Sequence, residues 1–467
     1  MADLTTNFAG IRCPNPFWLA SAPPTNCGEQ IMRAFDAGWG GAVWKTIGEP
    51  IVNVSSRYSS VDWNGSRMMG LNNIELISDR PIEVNLREIA EVKKRYPKNA
   101  VIASLMVESK REAWHDIVAR AEDAGADGLE LNFGCPHGMS ERGMGSAVGQ
   151  VPEYTTLITE WVKEVARTPV LVKLTPNISD IRTVARAARR GGADGLSAIN
   201  TLNSITGIDL DTLIPRPQVD GRSAHGGYCG PAVKPIALHM VQQLTGDPQV
   251  GVPVSGIGGV SGWQEAAEFL LLGCHTVQVC TAAMHYGYRI VEDMIDGLSN
   301  WMDDKGFPTL DDLRGKSLPR VVEWKDLNLN YKLVARIDPD TCIGCQLCYT
   351  ACWDGAHQCI HLDRTAPAPD TTRTPAMVES EAARRISTTP IPKLDAGLSH
   401  TNAVTPLERI PRVDEEHCVG CNLCSLVCPV ENCITMERID NGLSPQTWEE
   451  RTAAGLVPGT SEVLTSG

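Results

Sequence analysis

The sequence predicts an α/β protein: a closed (β/α)8 TIM barrel followed by a small, cysteine-rich domain. Three observations carry that expectation. Eight short apolar or β-branched runs alternate with longer amphipathic runs through the first two thirds of the chain. Ten of the sixteen cysteines crowd between Cys342 and Cys433, while the other six are scattered up to Cys280. The length, 467 residues with 42% hydrophobic, is enough for one barrel of about 250 residues or more and a second, smaller unit.

The strand candidates are Phe17–Ala20, Ala42–Thr46, Val101–Leu105, Gly128–Asn132, Val170–Lys173, Leu196–Asn200, Val252–Ser255 and Thr276–Cys280. Each has four or five residues and is flanked by Gly or Pro. Helical patterns lie between them. Ile82–Tyr96 sets Ile82, Leu86, Ile89 and Val92 on one stripe with charges opposite. Arg111–Ala124, Tyr154–Arg167, Ile181–Arg190, Pro235–Leu244 and Gln264–Leu272 follow the same logic, and Gly125, Gly191 and Gly273 stand where helices should stop. Ala-Gly-Ala-Asp-Gly-Leu at 124–129 nearly recurs as Gly-Gly-Ala-Asp-Gly-Leu at 191–196, each a helix end turning into a strand. An open doubly wound sheet is the alternative. The absence of Gly-x-Gly-x-x-Gly after the first strand weighs against it.

Composition excludes several classes. With 42 basic and 56 acidic residues the formal charge is −14, and the pI is 5.2. That balance argues against a nucleic-acid binder. No run approaches the roughly 18 apolar residues of a membrane span. The start, Met1-Ala2-Asp3-Leu4, carries no secretory signal, so a reducing cytoplasm is expected. There, cysteines are metal ligands or catalytic thiols rather than disulfides.

In a barrel the chemistry sits at the C-terminal ends of the strands. Those ends read Ala20-Ser21-Ala22, Lys45-Thr46, Asn132-Phe133-Gly134-Cys135-Pro136-His137, Lys173, Asn200-Thr201, Gly256-Ile257-Gly258-Gly259 and Cys280-Thr281. Taken singly, a lysine is a solvated surface group, a cysteine a small core residue and a Gly-Gly pair a turn. Ringed around one mouth they read as a flavin pocket. Glycines let backbone N–H groups approach a phosphate, and Gly226-Gly227-Tyr228-Cys229-Gly230 offers a second such loop. Lys45 or Lys173 would stabilise the negative charge of a reduced flavin. Asn73, Asn132 and Asn200 carry both donor and acceptor and suit a ring of alternating C=O and N–H groups. Asn72-Asn73 reads as a loop, where turn chemistry is the plainer explanation. Gly134 and Pro136 aim the Cys135 thiol, which at a pKa near about 8.5 can donate a proton at neutral pH. A nucleophilic role for Cys135 stays open.

The second domain has the strongest signal. Cys342-x2-Cys345-x2-Cys348-x3-Cys352 recurs as Cys418-x2-Cys421-x2-Cys424-x3-Cys428-Pro429. This is the bacterial ferredoxin pattern for two [4Fe–4S] clusters, in which the fourth cysteine of each run serves the other cluster. Cluster one should take Cys342, Cys345, Cys348 and Cys428, and cluster two Cys418, Cys421, Cys424 and Cys352. Zinc is the weaker alternative. Cys359 and Cys433 fall outside the pattern and read as structural. Trp353 replaces the usual Pro, and 66 positions separate Cys352 from Cys418. Residues 365–412, rich in Thr, Pro, Ala and Ser, read as a flexible insertion. The expected boundaries are 1–310 for the barrel, 311–332 for a linker, 333–440 for the ferredoxin-like domain and 441–467 for a mobile tail.

Specific stretches carry a family resemblance: Asn-Pro-Phe at 15–17, Arg-Ala-Phe-Asp-Ala-Gly-Trp-Gly at 33–40, Asn-Ile-Glu-Leu-Ile-Ser at 73–78, Leu-Glu-Leu-Asn-Phe-Gly-Cys-Pro-His-Gly-Met at 129–139, Glu-Arg-Gly-Met-Gly at 141–145 and Lys-Leu-Thr-Pro-Asn at 173–177. The barrel resembles dihydroorotate dehydrogenase-type flavoproteins. The whole chain, apart from 365–412, resembles the catalytic subunits of bacterial NAD-dependent dihydropyrimidine dehydrogenases. The resemblance implies FMN in the barrel, two [4Fe–4S] clusters, and reduction of the 5,6 double bond of uracil or thymine. It implies FMN contacts from Ala20, Ser21, Lys45, Thr46 and Lys173, with Gly230, Ile257, Gly258, Gly259, Cys280 and Thr281. For the pyrimidine it implies Asn73, Asn132, Phe133, Gly134, Asn200 and Thr201. Related animal enzymes carry Ser where Gly134 stands, which puts one substrate hydrogen bond in doubt.

The implied mechanism is hydride transfer from reduced FMN to C6, with Cys135 as the acid at C5. The flavin is reloaded through the clusters. The chain shows no NAD(P) or FAD fingerprint, so the resemblance implies a second subunit carrying FAD and the NAD(P)H site. This chain is then a homodimer within a heterotetramer. A dihydroorotate dehydrogenase, or an electron carrier with a non-catalytic barrel, are the competing readings.

Overall fold

The computed structural model describes residues 2–49, 51–362 and 410–456. The chain divides into two compact units, Met1–Val321 and Val322–Gly467.

The first unit is a closed parallel barrel of eight strands in sequential order. The strands are β1 (Phe17–Leu19), β2 (Gly41–Val43), β3 (Ala100–Leu105), β4 (Gly128–Asn132), β5 (Val170–Lys173), β6 (Gly195–Ala198), β7 (Val254–Ile257) and β8 (Thr276–Val279). Every residue of β3, β4 and β5 is buried, which explains their continuous rather than alternating apolar character: a parallel sheet has both faces covered. The outer ring is α1 (Gly28–Ala37), α2 (Ile82–Arg95), α3 (Arg111–Asp123), α4 (Pro152–Lys163), α5 (Ile181–Arg190), α6 (Lys234–Thr245), α7 (Trp263–Leu271) and α8 (Ile290–Lys305). Helix α2 buries Leu86, Ile89 and Val92. Helix α5 buries Ile181, Val184, Ala185 and Ala188, and the Asp180 carboxylate caps it by accepting from the Arg182 N–H at 2.9 Å.

The repeated Ala-Asp-Gly-Leu phrase has a job in this packing. Asp127 accepts from the Val101 N–H at 2.8 Å and pairs with Lys93 at 2.7 Å. Asp194 accepts from the Val170 N–H at 2.7 Å and pairs with Lys163 at 2.8 Å. Each aspartate thus fastens the start of its strand to the neighbouring strand and to the helix that precedes that neighbour. An N-terminal hairpin, Thr6–Phe8 with Ile11–Cys13, lies against the opening residues of the strands. Phe8 meets Trp18 edge-on, with ring centroids 5.7 Å apart.

Two long excursions build a second sheet. Antiparallel strands Tyr58–Trp63 and Ser66–Asn73, inserted after β2, join Leu202–Ser204 and Gly226–Cys229, inserted after β6. Asn72 and Asn73 therefore lie in a strand, not the expected loop, because each is paired across to the 226–229 strand.

The barrel unit also extends past the expected boundary at 310. Leu310 and Leu313 are fully buried, and the Gly315 and Ser317 N–H groups donate to the Leu270 and Leu271 carbonyls.

The second unit pairs β9 (Lys332–Ile337) with β12 (Ile434–Ile439), and β10 (Ile360–Leu362) with β11 (Pro411–Val413), both antiparallel. Of the expected flexible insertion, residues 365–409 lie outside the described residues, but Pro411 and Arg412 are strand. The expected mobile tail is likewise corrected over 441–456. Leu329 N–H donates to the Gln446 carbonyl at 2.8 Å, and Trp448–Ala453 forms a helix with a Thr447/Glu450 capping box. Six helical residues are too few for an apolar stripe to betray them in the sequence. Residues 457–467 lie outside the described part. Among the described residues no helix is long and apolar enough to cross a membrane.

Candidate functional site

The strand ends converge on one cavity of about 1160 Å³, counting space open to solvent. Ligand pockets usually span about 300–1,000 Å³, so the cavity has room for more than one small group. The excursion sheet contributes Tyr58, Leu71, Asn73, Tyr228 and Cys229 to its wall.

Register sets the polar residues side by side. Asn132 is level with Lys173 across β4 and β5, and Ile257 with Gln278 across β7 and β8. The amides form a chain: Asn200 Nδ2 donates to Asn132 Oδ1 at 3.1 Å, and Asn132 Nδ2 donates to Thr46 Oγ1 at 2.9 Å. Thr46 Oγ1 is also 3.1 Å from Ser21 Oγ. Asn73 Nδ2 donates to the Gly227 carbonyl at 3.0 Å, and Thr201 N–H to Asn200 Oδ1 at 2.8 Å.

The two lysines are held by carboxylates that sequence reasoning did not single out. Lys45 Nζ lies 2.5 Å from Glu75 Oε1, and both side chains are buried. Glu75 also takes Arg57 Nη1 at 3.2 Å and the Tyr58 hydroxyl. Burial, then the Glu75 contact, push the Tyr58 phenol above its ordinary range. Lys173 Nζ lies 3.7 Å from Glu130 Oε1, in the barrel interior. Gln278 Nε2 donates to Glu130 Oε2 and to Ser197 Oγ, both at 3.1 Å. A signal existed for these two: Glu130 sits between Leu129 and Leu131, and Gln278 between Val277 and Val279, in strands that must be buried. Polar residues there need an interior task.

Cys135 is buried on the cavity wall, its Sγ donating to the His137 carbonyl at 3.5 Å. Burial pushes the thiol up to about 11, so it carries its proton at neutral pH. His137 Nε2 is 2.9 Å from the Glu75 carbonyl, and burial lowers its pKa, leaving a neutral ring.

Gly230, Gly258 and Gly259 also line the cavity, with Ile257, Cys280 and Thr281. Gly259 has φ +74°, and a Cβ there would come within 2.7 Å of Lys234 Cβ. Only glycine fits this turn, which leaves the backbone bare toward the cavity. Cys229 accepts from Thr281 Oγ1 at 3.2 Å, and burial raises its thiol to about 11.

Ala20, Ser21, Lys45, Thr46, Lys173 and the three asparagines with Thr201 all line the same cavity as Cys135. Phe133 and Gly134 do not. The Phe133 side chain points into the core, edge-on to Trp114 with centroids 6.2 Å apart. Gly134 is packed under Asn200, where a Cβ would come within 2.5 Å of Asn200 Cβ and Nδ2.

In the second unit two cavities of about 310 and 330 Å³ are lined by cysteines from both runs. The first holds Cys342, Cys345, Cys348 and Cys428; the second holds Cys352, Cys418, Cys421 and Cys424. Among the described residues no three His, Cys, Asp or Glu side chains converge as a single ion would require. Four thiols spread around a cavity instead suit a cubane with iron at its corners.

A family model described as dihydroorotate dehydrogenase matches residues 3–302, and one described as a 4Fe-4S binding domain matches residues 411–432. The chain belongs to the dihydroorotate dehydrogenase family. It is 46% identical over 369 residues to the NAD-dependent dihydropyrimidine dehydrogenase subunit PreA of Escherichia coli (strain K12), covering 79% of this chain and 89% of that one. It is 42% identical over 337 residues to the chloroplastic dihydropyrimidine dehydrogenase (NADP(+)) of Arabidopsis thaliana, covering 70% and 79%. It is 36% identical over 319 residues to the catalytic subunit of dihydroorotate dehydrogenase B (NAD(+)) of Pyrococcus abyssi, covering 68% and 99%.

Membership of the dihydroorotate dehydrogenase family implies a flavin in the barrel, and the 4Fe-4S domain implies iron–sulfur chemistry in the second unit. The cavity fits a flavin: Gln278 Oε1 is buried on its wall without a hydrogen-bond partner, and two lysines and bare glycine backbone line the same cavity.

Proposed function

We propose that the chain is the catalytic subunit of an NAD-dependent dihydropyrimidine dehydrogenase, reducing the 5,6 double bond of uracil or thymine. The observation that carries this reading is the protonated Cys135 thiol in the same cavity as Asn73, Asn132, Asn200 and Thr201. The 46% identity to PreA supports the substrate class.

The pyrimidine is a flat ring with alternating carbonyl and N–H groups, and the asparagine amides match that alternation. The Asn200–Asn132–Thr46 chain and the Asn73 bond to the Gly227 carbonyl fix which way each amide faces before substrate arrives, so orientation costs little on binding. Cys135 holds the proton destined for C5. Its high pKa keeps it loaded, and proton delivery coupled to reduction avoids a free carbanion. Lys45 and Lys173, fixed by Glu75 and Glu130, would offer positive charge to a flavin that gains electrons in this cavity. Backbone at Gly230, Ile257, Gly258 and Gly259, with Cys280 and Thr281, takes the phosphate end. An FMN held by these residues would supply hydride chemistry to the bound pyrimidine.

The eight run cysteines would hold two [4Fe–4S] clusters, four to each cavity, and such clusters would supply electrons one at a time. FAD and the NAD(P)H site belong to a partner subunit, in a heterotetramer containing two copies of this chain. None of the sixteen cysteines is in a disulfide.

Anaerobic assay of the chain with a chemical reductant tests the reading. Uracil or thymine should be reduced, and Cys135→Ala should abolish most of that activity. Good orotate turnover with inert uracil would instead make the chain a dihydroorotate dehydrogenase.

A further inference from the structure

Each cysteine cavity of the second unit contains a fifth thiol. Cys433 lines the cavity of Cys342, Cys345, Cys348 and Cys428, and Cys359 lines that of Cys352, Cys418, Cys421 and Cys424. Both are almost wholly buried, at 2% and 3% exposure. Their placement repeats between the two halves. Cys359 follows Cys352 and directly precedes β10, while Cys433 follows Cys428 and directly precedes β12. Cys352 and Cys428 are the fourth cysteines of their runs, the ones that cross to the other half's cavity. So each cavity receives two thiols from the crossing chain segment rather than one. Cys352 Sγ lies 3.9 Å from Cys359 Sγ. Cys433 Sγ lies 3.9 Å from the Asp338 carbonyl, on the lining of the cavity it shares with Cys428 and Cys342.

We propose that Cys359 and Cys433 are reserve iron ligands, each able to replace the crossing cysteine of its own cavity. The inference rests on the reading that both cavities hold [4Fe–4S] clusters. A thiol about one van der Waals contact from a ligand sulfur, carried on the same short segment, sits at very high effective concentration relative to that iron. In the exchange, the iron–sulfur bond to Cys428 or Cys352 breaks as one to Cys433 or Cys359 forms. The incoming thiol's proton passes to the departing thiolate. No electrons change hands and no co-reactant is needed.

The test uses the full chain and counts iron and sulfide, with electron paramagnetic resonance of the reduced protein. Wild type should hold about eight irons, from two cubanes; fewer would overturn the two-cluster reading itself, separately from this inference. Cys433→Ala and Cys428→Ala should each keep about eight irons, the latter with an altered spectrum from the new ligation. The Cys428→Ala/Cys433→Ala double variant should lose that cluster or convert it to a three-iron form. Loss in Cys428→Ala equal to that of the double variant would overturn the proposal, as would a double variant that keeps both clusters. The Cys352→Ala/Cys359→Ala series asks the same question of the other cavity. It keeps the test decisive if one series fails to fold.

Discussion

Glu75 offers the sharpest test of how the barrel mouth is held. Glu75→Gln keeps the shape of the side chain and removes its charge. Lys45 then remains buried, 6% exposed, with its 2.5 Å counter-charge gone. Breaking a buried pair by removing one partner costs about 3–5 kcal/mol, because the remaining ion is left uncompensated. Arg57 adds little, since its side chain is one-third exposed and solvent screens it. The Tyr58 hydrogen bond survives in weaker, neutral form. The total is therefore governed by Lys45, at about 3–5 kcal/mol. At roughly 2 °C per kcal/mol for a large domain, the melting temperature should fall by about 6–10 °C. Thermal unfolding followed by circular dichroism measures it. Lys45→Met/Glu75→Leu removes both charges and should melt above Glu75→Gln while retaining less flavin. An unchanged melting temperature in Glu75→Gln, or a double variant less stable than Glu75→Gln, would refute the reasoning.

Other outcomes follow from the same geometry. Cys135→Ala should lower kcat for pyrimidine reduction by about 10²–10⁴ with a small change in KM, because the lost group moves a proton rather than binds substrate; steady-state kinetics with uracil checks this. Burial raises the Cys135 and Cys229 thiols from 9.0 to about 11. Below pH 9 folded and unfolded states both hold these protons, so stability is unaffected. Between pH 9 and 11 only the unfolded state ionises, and stability should fall by about 1.4 kcal/mol per pH unit per thiol. Melting curves at successive pH values should show a slope that Cys135→Ala reduces. Gly259→Ala forces a Cβ to within 2.7 Å of Lys234 Cβ at φ +74°. It should cost about 1–3 kcal/mol and weaken flavin retention, read by flavin content after gel filtration.

The sequence by itself determined the barrel, the strand-end lysines and asparagines, and the division of eight cysteines between two cavities. These follow from local rules: apolar runs of strand length, helices of period 3.6, and a cysteine spacing short enough for one segment to wrap a cubane corner. The end of a strand is visible wherever the strand is, so Lys45, Lys173, Asn132 and Asn200 could be placed at the mouth without any knowledge of their neighbours.

Only the tertiary structure decided what holds those residues. The sheet over the mouth pairs segments that are far apart in the chain, and Asn73 reaches a carbonyl 154 residues away. No local pattern encodes such a pairing. Glu75 becomes the partner of Lys45 through the excursion after β2, and Glu130 of Lys173 through the pairing of β4 with β5. The helix at Trp448–Ala453 and the fifth thiols Cys359 and Cys433 are of the same kind. Each owes its role to a contact across the fold, and a single chain segment read alone carries no record of what it will touch.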